Sequence, residues 1–161
     1  MTAKKTSAKL ADGRDLFYFD DAGSQLPADR KADTRNLDAR PAVAEMRLDA
    51  LSGDWISVAA SRHGRAFLPP ASECPLCPST DTFLSEVPDR FDVAVFENKN
   101  PSFGPDLAAI DDKNYWVEPK LPLGMTKPSI GRCEVVVFSP EHEGSLASQS
   151  ETRIRTILDA L

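Results

Sequence analysis

The sequence predicts an α+β chain, mainly antiparallel sheet with a C-terminal helix. Three observations carry that prediction. Apolar Met46, Leu48 and Ala50 alternate with Glu45, Arg47 and Asp49, and after the turn signal Ser52-Gly53-Asp54 the residues Trp55, Ile56 and Val58 continue as a second strand, the pattern of a β-hairpin. Gly131 to Ser139 contains the β-branched run Val135-Val136-Val137 followed by Phe138, which favours an extended strand. Ile154, Ile157, Leu158 and Leu161 then recur at i, i+3, i+4 and i+7, one apolar face of a helix.

Taken in order, residues 1–42 read as a polar N-terminal extension, partly disordered. Its apolar cluster Leu16-Phe17-Tyr18-Phe19 follows the turn signal Asp12-Gly13 and can form a short strand or packing arm, and Ala22 to Arg40 reads as a mobile linker. Order is expected from Val43, so residues 43–161 form the domain. Asp92 to Phe96 alternates as a strand and runs into the polar stretch Glu97-Asn98-Lys99-Asn100. Ala108 to Asn114 is acidic and Lys120 to Ser129 carries prolines, so both are expected to be irregular, with Tyr115-Trp116-Val117 a short strand between them. Ser148 and Glu151 match a capping box that would start the helix at Ser148. Leu161 lies on the apolar face with no C-cap glycine after it, so the expectation is a chain that stops inside an element, as a fragment would.

Composition excludes several function classes. The 161 residues carry a formal charge of −6, with no basic stripe of the kind a nucleic-acid surface requires. No apolar run is long enough to span a membrane, and no apolar segment follows Lys4, Lys5 and Lys9 as it would in a signal peptide. Three cysteines are too few and odd in number for a disulfide framework, which points to reduced thiols and a cytoplasmic location.

Chemistry concentrates at Cys74-Pro75-Leu76-Cys77. Two thiols separated by two residues can reach one tetrahedral ion, with His142 the next candidate ligand; zinc accepts thiolate and imidazole together. A redox pair or two inert reduced thiols share this spacing, although no βαβ pattern surrounds it. Cys133 fits a small apolar residue in or beside the sheet. Arg62-His63-Gly64-Arg65 is the densest basic cluster, either a solvated turn or a phosphate clamp built on guanidinium forks. Asn98 suits a turn former or an amide that reads a ligand.

Five segments, Leu51-Ser52-Gly53-Asp54-Trp55-Ile56, Arg62-His63-Gly64-Arg65, Cys74-Pro75-Leu76-Cys77-Pro78, Val95-Phe96-Glu97-Asn98-Lys99 and Gly131 to His142, resemble, in the same order, the N-terminal half of the galactose-1-phosphate uridylyltransferase family. The resemblance covers residues 43–161. It implies the first half-barrel of a histidine-triad-like fold, and UMP transfer from UDP-glucose to galactose 1-phosphate through a uridylylated histidine. By position it implies Cys74, Cys77 and His142 as structural zinc ligands, Arg62, His63, Gly64 and Arg65 as the segment contacting the UDP-sugar, and Asn98 and Lys99 as the uridine-side contact. It also implies a homodimer for the complete enzyme. The family's His-Pro-His motif, source of the nucleophile and a fourth zinc ligand, does not occur here: the histidines are His63 and His142, and neither stands in a His-x-His motif. No catalytic residue is therefore assigned. Two alternatives stand beside this reading: a related histidine-triad nucleotidyltransferase or phosphorylase, and a non-catalytic zinc-bearing half that docks with a separate C-terminal chain.

Overall fold

The structure, a computed structural model, describes residues 2–38, 44–59, 69–104 and 124–161. Among these are seven strands and one α-helix: β1 (Lys4–Lys9), β2 (Asp15–Asp20), β3 (Glu45–Leu48), β4 (Trp55–Val58), β5 (Val93–Glu97), β6 (Thr126–Pro128), β7 (Glu134–Val137) and α1 (Glu151–Ala160). The pairs β1–β2, β2–β5, β3–β4 and β3–β6 are antiparallel, in keeping with the predicted α+β class. The chain divides into two compact units, the first comprising the described parts of Met1–Asp38, Phe67–Glu97 and Val135–Leu161, the second those of Ala39–Ala66 and Asn98–Glu134.

The first unit holds a four-stranded sheet in the order β1-β2-β5-β7. Strand β2 lies between β1 and β5, with Leu16 opposite Phe96 and Phe19 opposite Val93. Alternation sends its side chains to both faces. Leu16 and Tyr18 join Leu10, Val87, Phe91, Ala94, Phe96 and Val137 in one apolar cluster. Phe19 joins Val93, Val95 and Ile157 of α1 in another. A strand buried on both faces needs a continuous apolar run, which explains Leu16-Phe17-Tyr18-Phe19.

The apolar cluster expected to form a short strand or packing arm does form a strand. It lies in the middle of the sheet, with Leu16 and Tyr18 essentially inaccessible to water. The preceding strand β1 is polar because it is the sheet edge, where charged lysines discourage further pairing. It still covers apolar surface: the Lys5 ammonium lies 4.2 Å from the Phe17 ring centroid. The stretch expected to be a mobile linker has no helix or strand through residue 38, yet two arginines tether it. Arg30 stacks on Tyr18 at 4.7 Å, pairs with Asp20 and donates to the Arg90 carbonyl. Arg35 donates to the carbonyls of Ser85 and Glu86.

In the second unit β3 pairs with both β4 and β6. The expected hairpin is present, with Leu48 opposite Trp55. Its turn is closed by hydrogen bonds from Asp49 N to Asp54 O and from Gly53 N to Asp49 O, both 2.8 Å. Gly53 adopts φ +78, the left-handed conformation that favours glycine. Strand β6 falls in the stretch expected to be irregular. Pro128 is tolerated there because it ends a short strand that, among the described residues, pairs with β3 alone.

The helix starts two residues later than the capping box indicated. Ser150 is its N-cap and accepts from Arg153 N at 3.1 Å, whereas Ser145 and Ser148 cap the preceding 3-10 turn Leu146–Ser148. The predicted apolar face divides in two: Ile154 and Ile157 pack on the sheet, while Leu158 is 66% exposed and Leu161 84%. Arg153 fastens the helix to the strand ends, with Asp21 and Asp92 each about 3 Å from its guanidinium. Tyr115-Trp116-Val117 lies outside the described residues.

Candidate metal centre

Cys74 follows the 3-10 turn Ala71–Glu73, and its amide donates to the Ala71 carbonyl at 3.3 Å. The chain passes through Pro75 and Leu76 to Cys77, then doubles back: Pro78 bridges to Val87, Ser79 N donates to Val87 O at 2.9 Å and Glu86 N donates to Pro75 O at 2.9 Å. A loop of two prolines and two cysteines has too little apolar surface to order itself. The returning segment supplies that order.

His142 arrives from the loop after β7. Pro140 follows three residues after the end of β7, and Glu141 N donates to Ser139 Oγ at 3.1 Å, a local serine turn. Cys74, Cys77 and His142 come together so that their ligand atoms all lie within 4.8 Å of one another, and Cys77 Sγ stands 3.7 Å from His142 Nδ1. In a tetrahedral zinc site with bonds of about 2.3 Å to sulfur and 2.0 Å to nitrogen, a sulfur and a nitrogen ligand are separated by about 3.5 Å. The residues therefore fit zinc in both donor chemistry and spacing.

The electrostatics suit a divalent cation. Burial pushes the Cys74 thiol up, but hydrogen bonds from the Leu76 and Cys77 amides, the Cys77 thiol and His142 outweigh it and leave Cys74 below its ordinary value. Burial, the hydrogen bond to Cys74 and its charge push Cys77 up to about 11. One sulfur thus ionises well before the other. To hold a metal ion both sulfurs would have to be deprotonated, so affinity would fall as pH falls.

The other candidate residues have different standings. Asn98 donates its backbone N–H to Cys133 O at 2.8 Å, and its side-chain Oδ1 accepts from Asn100 N at 2.9 Å, so its side chain forms a turn. Lys99 is half-buried, and Arg62, His63, Gly64 and Arg65 lie outside the described residues. Cys133 is a half-buried free thiol in the residue before β7. Sequence reasoning missed the segment Ser79 to Val87 that braces the cysteine loop. Its signal is faint, since serine and threonine hydroxyls hydrogen-bonding nearby backbone leave no periodic pattern.

A family profile described as galactose-1-phosphate uridyl transferase, N-terminal domain, matches residues 33–161. The chain belongs to this family. It is similar to galactose-1-phosphate uridylyltransferase of Streptomyces lividans, 37% identical over 158 residues, covering 98% of this chain and 37% of that protein. The enzyme of the same name from Thermotoga maritima is 30% identical over 117 residues, 73% of this chain and 34% of the relative. A Cryptococcus neoformans counterpart is 34% identical over 92 residues, 56% of this chain and 23% of its own length. The chain thus spans between 23% and 37% of the length of these relatives. No solved structure matches it. Among the described residues no helix is long and apolar enough to cross a membrane.

Proposed function

We propose that this chain is the zinc-bearing N-terminal portion of a UDP-glucose:hexose-1-phosphate uridylyltransferase, acting in the cytoplasm within galactose metabolism. The observation that carries the reading is the convergence of Cys74, Cys77 and His142 in a chain of this family. These three side chains would hold the zinc. When bound, it supplies a cross-link between the cysteine loop and the loop after β7. It leaves substrate binding to other residues.

Arg62 and Arg65 are the groups suited to a diphosphate: each guanidinium offers a planar fork to phosphate oxygens, and Gly64 lets the backbone approach closely. His63 sits within that segment, and Asn98 and Lys99 contribute on the uridine side. Transfer of UMP to galactose 1-phosphate through a covalent nucleotidyl-enzyme requires an imidazole nitrogen aimed at the α-phosphorus. Under this reading His142 is committed to metal and His63 to the arginine segment. The 161-residue chain is accordingly inactive alone, and the complete enzyme works as a homodimer on UDP-glucose and hexose 1-phosphate.

The test is label transfer from UDP-glucose carrying radioactive α-phosphate. The 161-residue chain alone is expected to retain none. Label retained on His63 or His142 would overturn the assignment of those residues.

A further inference from the structure

Arg14 lies at the end of the turn between β1 and β2 and is 3% exposed. Its guanidinium is divided among three segments. Nε donates to Asp12 Oδ2 at 2.7 Å, Nη2 to Glu86 Oε2 at 2.5 Å and Nη1 to the Glu97 carbonyl at 2.8 Å. Arg35 approaches the same place from another direction. Asp33 orients it through Nε at 2.7 Å and Nη2 at 2.8 Å, and it donates to the carbonyls of Ser85 and Glu86. Two guanidinium groups thus converge on Ser85-Glu86. The Glu86 amide in turn holds the carbonyl of Pro75, the residue beside Cys74.

We propose that Arg14 and Arg35 are positioning residues for the metal centre, fixing Ser85-Glu86 so that Pro75 is anchored and both sulfurs are presented before the ion arrives. The inference rests on the metal reading above. Arg14 lies ahead of the segment that the family profile matches, which begins at residue 33. The physical reason is preorganisation. A free two-thiol loop must lose backbone and rotamer freedom when it binds metal, whereas here that ordering is completed on folding by groups beyond the ligands. Partners beyond the ligands commonly govern affinity by about 10–100-fold.

The experiment is cobalt(II) titration of the 161-residue chain, read by the thiolate-to-cobalt charge-transfer band, with zinc affinity then obtained by competition. Arg14→Gln and Arg35→Gln are expected to weaken affinity by about 10–100-fold while the band at saturation keeps its shape, because the ligands are unchanged. Glu86→Gln removes one of the two carboxylates paired with Arg14, leaving Asp12, but keeps the backbone amide on Pro75, and is expected to weaken binding in the same direction. It decides the matter, together with Arg35→Gln, if Arg14→Gln does not fold. Ile157→Val, a core change remote from these contacts, lowers stability without touching the segment and is expected to leave affinity unchanged. Exchange of the Glu86 amide proton in the metal-free chain is expected to quicken in both arginine variants. Tight cobalt binding equal across folded variants would overturn the inference alone. No cobalt binding by the unaltered chain would overturn the metal reading and this inference with it.

Discussion

Two hairpins of similar length are put to opposite use. In β1–β2 the connection is buried at its two ends, Leu10 being 2% exposed and Arg14 3%, while Ala11 and Gly13 between them face water, and the turn sends a guanidinium to Glu86 and Glu97. In β3–β4 the connection faces water, with Leu51 99% exposed and Gly53 meeting nothing within 4 Å of an added Cβ. The difference teaches that one hairpin turn can close on local bonds alone while another is also tied to distant segments of its unit. A solvent turn must close on local chemistry such as Ser52-Gly53-Asp54, which is visible in sequence. The β1–β2 turn also closes locally, Leu10 N donating to Arg14 O and Gly13 N to Leu10 O, both at 2.9 Å, but Arg14 adds partners more than seventy residues away, Glu86 and Glu97, which no local pattern shows.

Mutations can break or sharpen this contrast. The largest effect is expected in the buried hairpin, where Leu16→Ala opens a cavity against Phe96 and Leu10 and costs about 2–5 kcal/mol, measured by urea denaturation. Next comes Asp33→Asn, which removes the charge paired with Arg35 and one of the two oxygens that accept from Arg35 and the Ala11 amide, and costs about 1–3 kcal/mol near neutral pH. Its pH dependence is also determined. Burial pushes the Asp33 carboxyl up, but hydrogen bonds from Arg35 and the Ala11 and Arg35 amides outweigh it, so the folded value lies below the unfolded one. Such a carboxylate contributes fully above the unfolded-state value of about 3.9 and loses that contribution as pH falls through its folded value. The stability gap between Asp33→Asn and the unaltered chain is therefore expected to be constant near neutrality and to close in acid. The smallest effect is expected at the solvent turn, where Leu51→Ser changes stability by less than about 0.5 kcal/mol. A large loss there would show that this turn is covered by a partner.

Some of this was legible in the sequence for stated reasons. The spacing Cys-x-x-Cys with His142 is covalent and chemical information, and the folded chain does bring those side chains together. Strands β3, β4, β5 and β7 follow from alternation and β-branching. Strand β1 was hidden because Lys-Lys-Thr-Ser-Ala-Lys has no apolar face, its role being to edge the sheet and lay Lys5 over Phe17. Residues 22–38 read as a linker because their order comes from single arginines rather than a periodic pattern. The start of α1 was displaced because Ser145, Ser148 and Ser150 are all competent caps, and only packing of Ile154 and Ile157 against the sheet chooses among them. Support for the metal centre from Arg14 and Arg35 is tertiary, so no local motif announces it.

The central claim is that Cys74, Cys77 and His142 form one metal site. The most direct measurement is elemental analysis of zinc in the untagged chain and in Cys77→Ser, both purified without chelators. The account predicts close to one zinc per unaltered chain, sharply reduced by the substitution at unchanged circular dichroism. Zinc content unaffected by Cys77→Ser, or none in the unaltered chain, would contradict it.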